Sequence, residues 1–197
     1  NVTIMVDPFK MAKQEKADLV LISHNHFDHC SVDDIKNVST KDTSIVAAKE
    51  CIEMIKGFDF KEKISISPGE EKTVKGIKIK SIPAYNITKI NPDTKKPFHP
   101  KEDNKVGFLF ELNGTTIYHT GDTDLIPEMS DLKPDIALLP VSGTYVMTAQ
   151  EAAKAVEKIK PKIAIPMHYG VIVGSEKDAH EFKQLVKSCE VKILAKE

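Results

Sequence analysis

Arginine is absent from this sequence, so all 28 of its basic residues are lysine. The planar guanidinium group, which grips phosphate or carboxylate through two parallel hydrogen bonds, is therefore missing. Such anions would have to be held by lysine, by backbone amides or by metal. The formal net charge of −1 also gives no overall field that would gather a polyanion. Both absences weaken the prediction of a nuclease, although a local patch of lysine would still allow one.

Cysteine is scarce as well, and the full set is Cys30, Cys51 and Cys189. An odd and sparse set favours a reducing compartment over a disulfide framework, so we expect a cytoplasmic protein. No apolar run approaches the roughly 20 residues that span a bilayer, and the first residues lack the apolar core of a signal peptide. With 41% hydrophobic residues in a chain of 197, we expect one domain over residues 1–197 and no membrane contact.

The most informative stretch begins at Leu19, where four apolar residues and Ser23 predict a strand buried on both faces. In α/β proteins such strands usually end at the edge of the sheet where ligands bind. His24, His26 and Asp28 follow directly and can share a face of extended chain, with His29 at the turn. These imidazoles and the carboxylate form a nitrogen and oxygen donor set for a divalent metal ion. The imidazoles favour zinc, with manganese, nickel or iron as alternatives.

Periodicity and turn residues predict strands and helices along the rest of the chain. Ser31 and Thr148 are predicted N-caps, each with an acidic residue three positions later, and Asn113-Gly114 predicts a hairpin. The alternation over 63–85 predicts an antiparallel meander, and the polar segment 86–104 predicts a long loop. Further strands are expected at 2–6, 44–48, 106–112, 115–119, 136–139, 162–167 and 191–194, and further helices at 50–56 and 179–186. This order predicts two packed sheets with helices outside, an αβ/βα sandwich.

The stretch His24-Asn25-His26-Phe27-Asp28-His29 resembles the His-x-His-x-Asp-His motif of the metallo-β-lactamase superfamily. Gly121-Asp122-Thr123 and Met167-His168-Tyr169 follow in the order of that family's later motifs. Segments 82–86, 98–100 and 118–123 are similar to a poorly characterised branch of metal-dependent hydrolases related to the ascorbate-6-phosphate lactonases. The resemblance implies the four-layer αβ/βα sandwich of the metallo-β-lactamase fold. That family has one more strand and a Gly-His-Ala-like turn upstream, so we expect this chain to lack the first strand.

The resemblance also implies which residues bind metal. In the superfamily pattern the first two histidines serve one metal ion, the Asp-His pair and the last histidine serve a second, and the later aspartate bridges both. Carried onto this sequence, the set is His24, His26, Asp28, His29, Asp122 and His168, and one or two divalent ions are expected. Asp28 is also expected to be catalytic, because it would orient the attacking hydroxide or take its proton.

Four further residues border this set. Asp7 ends the first predicted strand, where it either caps the turn or accepts the N–H of a metal-binding imidazole and orients the ring. The family usually supplies one more histidine before the long loop, where this chain has Asn86, a poor ligand for a transition metal. His99 in the loop either replaces that histidine or is an ordinary loop residue. His119 either supports a ligand or packs on its strand.

The leading expectation is a metal-dependent hydrolase that uses a metal-bound hydroxide on a small-molecule ester or lactone. The ester or lactone rests on family analogy alone. A phosphodiesterase or nuclease is the alternative, because two metal ions suit phosphoryl transfer and the loop from Lys89 to Lys105 is rich in lysine. A metal-binding module without catalysis is the third reading, because Asn86 stands at a ligand position. The sequence leaves the oligomeric state open.

Overall fold

Short apolar runs in the first third of the chain form a parallel sheet. In the computed structural model, which describes residues 2–11, 15–130 and 132–195, this sheet has the strand order β1-β2-β3-β4. The strands are β1 (Ile4–Val6), β2 (Leu19–Ile22), β3 (Ser44–Ala48) and β4 (Glu62–Ile66). Every residue of β2 and β3 is buried, as expected for parallel strands that are covered on both faces.

The second sheet combines antiparallel and parallel pairing in the order β11-β10-β9-β8-β7-β6-β5. The strands are β5 (Glu71–Val74), β6 (Ile77–Pro83), β7 (Val106–Leu112), β8 (Thr115–His119), β9 (Ile136–Pro140), β10 (Ile163–Met167) and β11 (Glu190–Val191). Pairs from β5 to β8 are antiparallel, and pairs from β8 to β11 are parallel. Several parallel strands of this sheet therefore end at a common edge.

The described part of the chain also contains four α-helices: α1 (Val32–Val38), α2 (Lys49–Met54), α3 (Ala149–Ile159) and α4 (Glu176–Leu185). Strand β7 shows how the layers meet, because Phe108 and Phe110 belong to the core shared with the first sheet. Its neighbour Leu109 packs instead against the core shared with α3 and α4. This alternation confirms the predicted four-layer αβ/βα sandwich. None of the helices in the described ranges is long and apolar enough to cross a membrane.

Three short signals of the sequence form the predicted local structures. Thr148 and Glu151 form a complete capping box at the start of α3, and the Ser31 hydroxyl accepts the N–H of Asp34 at the start of α1. Asn113 and Gly114 join β7 to β8 with φ angles of 51° and 75°, the left-handed pair that a tight hairpin requires.

The predicted meander over 63–85 is wrong for its first strand. Strand β4 pairs parallel with β3 in the first sheet, and the chain then passes to the second sheet, where β5 and β6 are antiparallel. Alternation with period two marks a half-exposed strand but does not identify its partner. The predicted end strands were also too long, since β1 begins at Ile4 and β11 contains only Glu190 and Val191.

Candidate metal site

The carboxyl ends of the parallel strands carry the predicted donors. Residues 24–29 follow β2, Asp122 follows β8 and His168 follows β10. Strands β8 and β10 run in the same direction in the second sheet and end at the same edge. Strand β2 belongs to the first sheet, and its end lies beside this edge, where the N–H of Val106 donates to the carbonyl of Ser23. The structure brings all six predicted ligands into one cluster at this edge.

Three histidines form the first group of donors in this cluster. One ligand atom each of His24, His26 and His99 lies within 4.8 Å of the others. His99 comes from the loop between β6 and β7, and only 1% of its surface is exposed. Of the two candidates for the position next to the motif histidines, the structure therefore brings His99 to the cluster, whereas the side chain of Asn86 lies behind it.

Asp28, His29 and His168 form the second group, again with one ligand atom each within 4.8 Å of the others. Asp122 lies between the two groups and is only 3% exposed. Its Oδ2 is 3.1 Å from Nε2 of His168, 3.6 Å from Nε2 of His99 and 3.9 Å from Nε2 of His24, and its Oδ1 is 3.4 Å from Nε2 of His29. One carboxylate thus faces imidazoles of both groups, which is the placement that a bridging ligand requires.

Four of the imidazoles are held at Nδ1, the ring nitrogen that faces away from Asp122. The partners are Ser23 Oγ for His24 at 2.9 Å, Asp7 Oδ2 for His29 at 2.8 Å, Asn86 Oδ1 for His99 at 3.0 Å and Ser142 Oγ for His168 at 3.1 Å. Fixing one nitrogen of a histidine sets the direction of the other and is the usual support of a metal ligand. In this cluster it directs four Nε2 atoms towards one carboxylate.

Unpartnered buried atoms at the centre of the cluster fit a cation. Among the described residues, Nε2 of His24, Nε2 of His99 and Oδ1 of Asp122 are buried and have no hydrogen-bond partner. A buried polar atom without a partner is costly, and such atoms call for an explanation. A divalent ion would accept all three lone pairs, so the donor set fits the metal that the sequence predicts.

Electrostatics divides the cluster into the same two groups. Burial lowers the pKa of His99 to about 4, and burial together with the neighbouring His29 lowers the pKa of His24. Burial also disfavours the charged forms of His29 and His168, but the Asp122 carboxylate outweighs it and raises both pKa values. Burial alone would raise the pKa of Asp122, yet the charges on His29 and His168 hold it well below its usual range.

Asp7 supports the cluster from the end of β1. Its Oδ1 accepts the backbone N–H of Ser23 at 2.7 Å, and its Oδ2 accepts the hydroxyl of Ser23 and the Nδ1–H of His29. Both oxygens are therefore engaged, although the residue also lies close enough to His24 and His29 to complete a donor group. Asp7 and His168 have φ angles of 47° and 58°, a conformation that non-glycine residues adopt mainly where the surroundings impose it.

Two glycines allow the backbone to approach closely beside Asp122. A Cβ added to Gly107 would lie 2.5 Å from the carbonyl oxygen of Thr120, and one added to Gly121 would lie 2.7 Å from that of Val106. Gly121 also has a φ angle of 62°. Any side chain at these positions would push β7 away from the turn that carries Asp122. Gly121 belongs to the Gly-Asp-Thr motif of the sequence, whereas Gly107 lies in no motif.

Asp124, which was not predicted from the sequence, holds the start of the loop that carries His99. Oδ2 of Asp124 accepts the backbone N–H groups of Ile87 and Thr88 at 2.7 Å and 2.6 Å. Asn86 donates to Oδ1 of Asp124, and its own Oδ1 accepts the backbone N–H and the ring Nδ1–H of His99. Asn86 therefore orients His99. The signal available in the sequence was a second aspartate two residues after Asp122, on the same strand end.

Two further residues lie at the margin of the cluster. His119 is buried, and its Nδ1 accepts the N–H of Gly121 at 3.3 Å, so it supports the turn before Asp122. Lys105 is only 4% exposed, and its Nζ lies 3.4 Å from Nε2 of His26. Burial and this ammonium group lower the pKa of His26. A buried lysine next to a predicted metal ligand was not anticipated from the sequence.

Two cavities open on the cluster, and Asp28, Asp122 and His168 line both. The first cavity, of about 220 Å³, lies between the donors and a group of apolar side chains that includes Phe9 and Val171. The second cavity, of about 320 Å³, lies between the donors and the aromatic residues Phe27, Phe98 and Tyr145. The cluster is therefore accessible from two sides, unlike a structural ion that is closed by four protein ligands.

Comparison with known proteins identifies the family of this chain. The family model of a beta-lactamase superfamily domain matches residues 1–168. The chain belongs to this superfamily and, within it, to the UPF0173 metal-dependent hydrolases. The relative from Thermoplasma acidophilum is 37% identical over 92% of this chain and 82% of its own length, and that from Thermococcus kodakarensis is 35% identical over 97% and 88%. Both carry that family name.

Solved structures of this superfamily show the same fold. A metallo hydrolase of the hyperthermophilic archaeon Ignicoccus hospitalis is 26% identical and superposes with a TM-score of 0.76 over 98% of this chain and 87% of its own. The metallo-β-lactamase fold protein YhfI of Bacillus subtilis is 18% identical, with a TM-score of 0.63 over 91% and 75%. The superfamily and the fold predicted from the sequence are thereby confirmed, and the protein is a metal-dependent hydrolase of unassigned substrate.

Proposed function

We propose that this hydrolase binds two divalent ions, zinc by preference, and hydrolyses an uncharged ester or lactone. The observation that carries the proposal is the convergence of four imidazole Nε2 atoms on Asp122 with three buried atoms left unpartnered. His24, His26 and His99 would hold one ion, Asp28, His29 and His168 the other, and Asp122 both. Imidazole-rich sets of this kind favour zinc.

Divalent ions held there would supply a bound water of lowered pKa and Lewis acidity towards the substrate carbonyl. In the overall reaction water adds to the acyl carbon, the acyl carbon–oxygen bond breaks, and the alcohol oxygen leaves with a proton. Asp28 would take a proton from the water and return it to the leaving alcohol. Its side chain is 16% exposed, against 4% for that of Asp122, and it lines both cavities.

The phosphodiesterase alternative has less support than the sequence suggested. Of the lysines between Lys89 and Lys105, Lys89 pairs with Glu151 at 2.7 Å and Lys101 pairs with Glu128 at 2.8 Å. Lys105 is buried beside Asp103 and His26. These three ammonium groups are already paired with carboxylates or withdrawn from solvent, and the exposed Lys95 and Lys96 of the same loop line neither cavity. The reading as a non-catalytic module is disfavoured by the two cavities that open on the donors.

The test is a metal and activity measurement on wild type, Asp28→Ala and Asp28→Asn. Protein purified without chelator should contain between one and two equivalents of divalent ion by mass spectrometry. It should hydrolyse lactones and p-nitrophenyl esters faster than bis(p-nitrophenyl) phosphate. Both variants should lose at least about 100-fold in kcat, the contribution expected of a positioned proton-transfer group.

Asp33→Asn, at an exposed position of α1, is the matched control and should behave as wild type. An Asp28→Asn variant that keeps its metal content while losing turnover would assign the proton role. Unchanged ester turnover in both Asp28 variants would remove that role. Activity confined to the phosphodiester would overturn the substrate class.

A further inference from the structure

The first cavity has two chemically different walls. One wall consists of the donors, with Asp28, His29 and His168 among them. The other part of the lining consists of apolar side chains from two separate segments: Phe9 after β1, and Met167 at the end of β10 with Val171, Ile172 and Val173 after it. A substrate group in this cavity would have its reactive end at the donors and hydrocarbon at the other wall.

The apolar wall stands exposed to solvent although larger apolar residues are usually buried. Val171 is 58% exposed and Ile172 is 46% exposed. Phe27, which lines the second cavity, is 67% exposed and meets Phe9 edge to face with ring centroids 5.8 Å apart. Apolar patches of this kind on a protein surface commonly mark a ligand site.

The turn that presents Val171 and Ile172 is held in place by its backbone. The N–H of Gly170 donates to the carbonyl of Val173 at 2.9 Å, which closes the turn. Gly174 follows with a φ angle of 68°, and a Cβ added there would lie 2.6 Å from Cβ of Ser142. Ser142 in turn holds His168. The apolar turn and the metal-binding histidine are therefore fixed to the same support.

Among the described residues, the charged groups that line the two cavities are the donors and the Asp7 carboxylate, which is already bonded to Ser23 and His29. None of the described residues that line either cavity is a lysine, and the sequence contains no arginine. Lys105 contacts His26 but lines neither cavity. A substrate with a carboxylate or phosphate remote from the reacting bond would find no cation for it there. The cleft suits an uncharged, apolar substituent.

We propose that the substrate is an ester or lactone with an uncharged hydrocarbon chain of several carbons, which lies in the first cavity along Phe9, Val171 and Ile172. This inference rests on the proposed ester or lactone hydrolysis and specifies its substrate class. The hydrocarbon chain of the substrate would leave water on binding, and the carbonyl end of the substrate would face the donors.

The first test is a chain-length series in the zinc-loaded protein, with p-nitrophenyl acetate, butyrate, hexanoate and octanoate. We expect kcat/KM to rise by up to about fourfold for each added methylene until the cavity is filled, the factor that hydrocarbon transfer from water sets. p-Nitrophenyl hemisuccinate, which ends in a carboxylate, should react more slowly than the butyrate of equal chain length.

Phe9→Ala and Val171→Ser should flatten this series and lower the ratio of octanoate to acetate at least about tenfold, since each removes hydrocarbon from the wall. Ile90→Ser is the matched control, because Ile90 is 45% exposed but lines neither cavity. A ratio that stays unchanged in both wall variants, or a series that favours the hemisuccinate, would overturn the inference.

A second readout separates this inference from the proposed function. Titration of methyl-labelled protein with 1-octanol should shift the methyl resonances of Val171 and Ile172 and leave those of Ile90 in place. These shifts without hydrolysis of any ester would support the apolar site and refute the proposed reaction. Ester hydrolysis that is independent of chain length, without the shifts, would support the reaction and refute the apolar site.

Discussion

His29 and His26 come from one turn of the chain, but the groups that contact their rings carry opposite charges. Nδ1 of His29 donates to the Asp7 carboxylate at 2.8 Å, whereas Nε2 of His26 lies 3.4 Å from the ammonium group of Lys105. A carboxylate behind an imidazole raises its basicity as a ligand, and a cation lowers it. The second donor group should therefore hold its metal ion more tightly than the first. Two similar sets of donors can therefore differ in metal affinity because different charged groups contact their imidazoles.

Asp122→Asn should have the largest effect, because it removes the carboxylate that faces both groups. We expect the metal content to fall to less than half and kcat/KM to fall by more than about 100-fold. Loss of a group that only hydrogen-bonds to a metal ligand already lowers metal affinity or activity roughly 10–100-fold. Metal analysis and ester kinetics measure both quantities, with Asp33→Asn as the control. Full retention of metal would contradict the placement of Asp122 between two ions.

Asp7→Asn should weaken the second group selectively. Asparagine tolerates the left-handed backbone at this position, but it gives His29 a neutral acceptor in place of a carboxylate. The affinity for one ion should fall about 10–100-fold, as measured by competition with a chromophoric chelator. Because Asp7 also holds Ser23, which contacts His24, a smaller loss is expected at the first group. Equal losses of metal affinity at both donor groups would contradict the selective role of Asp7.

Asp124→Asn should weaken the first group through the loop that carries His99. The change replaces a charged acceptor of two backbone N–H groups, and hydrogen bonds to charged groups are worth about 2 kcal/mol. We expect the free energy of unfolding to fall by about this amount in urea titrations, together with weaker metal binding. Asp93→Asn, an exposed aspartate in the same loop, is the control. A loss of stability with undiminished metal affinity would show that the bonds of Asp124 to this loop do not affect metal binding.

Lys105→Met should act in the opposite direction. Removal of the buried ammonium group makes His26 a better ligand, so the affinity of the first group should rise by up to about tenfold, the lower end of such outer effects. Lys101→Met is the control, because Lys101 is exposed and pairs with Glu128. Cobalt titration followed by absorption would show whether the two groups become more alike. A weaker first group in Lys105→Met would mean that the lysine holds His26 in place.

Asp135→Asn tests stability away from the site and should have the smallest effect on the difference in metal affinity between the two donor groups. Asp135 precedes β9, where it accepts the N–H of Thr116 and pairs with Lys162 at 2.7 Å. Lys162 and the bond from Thr116 hold its pKa below the usual range. Its contribution is therefore present above the ordinary pKa of about 3.9 and is lost as the pH falls further. Melting temperatures of variant and wild type should differ at pH 7 and converge at low pH, while metal affinity stays unchanged.

The sequence predicted those parts of the site that depend on short-range signals. The donor motif follows buried β2, and Asp122 and His168 follow β8 and β10, so each donor could be predicted to stand at the end of a strand. Capping at Ser31 and Thr148 is equally local. These features require no knowledge of which strands are neighbours.

The features that the sequence did not reveal depend on pairing and on the path of a loop. The partner of β4 could not be predicted, because alternation marks exposure and not neighbours. The position of His99 could not be predicted, because it depends on the hydrogen bonds that Asp124 accepts from Ile87 and Thr88 at the start of the loop. Gly107 and Lys105 likewise act through contacts with Thr120 and His26, which no local pattern encodes.

Asp7 and His168 stand near opposite ends of the described chain, yet both contribute to one cluster. Such a cluster assembles only when contacts of long sequence separation have formed, which are the slow contacts in folding. A partly folded chain would hold at most the local set His24, His26, Asp28 and His29. The second ion would therefore bind only the completed fold, and mass action at 100 times its Kd would stabilise that state by about 2.7 kcal/mol.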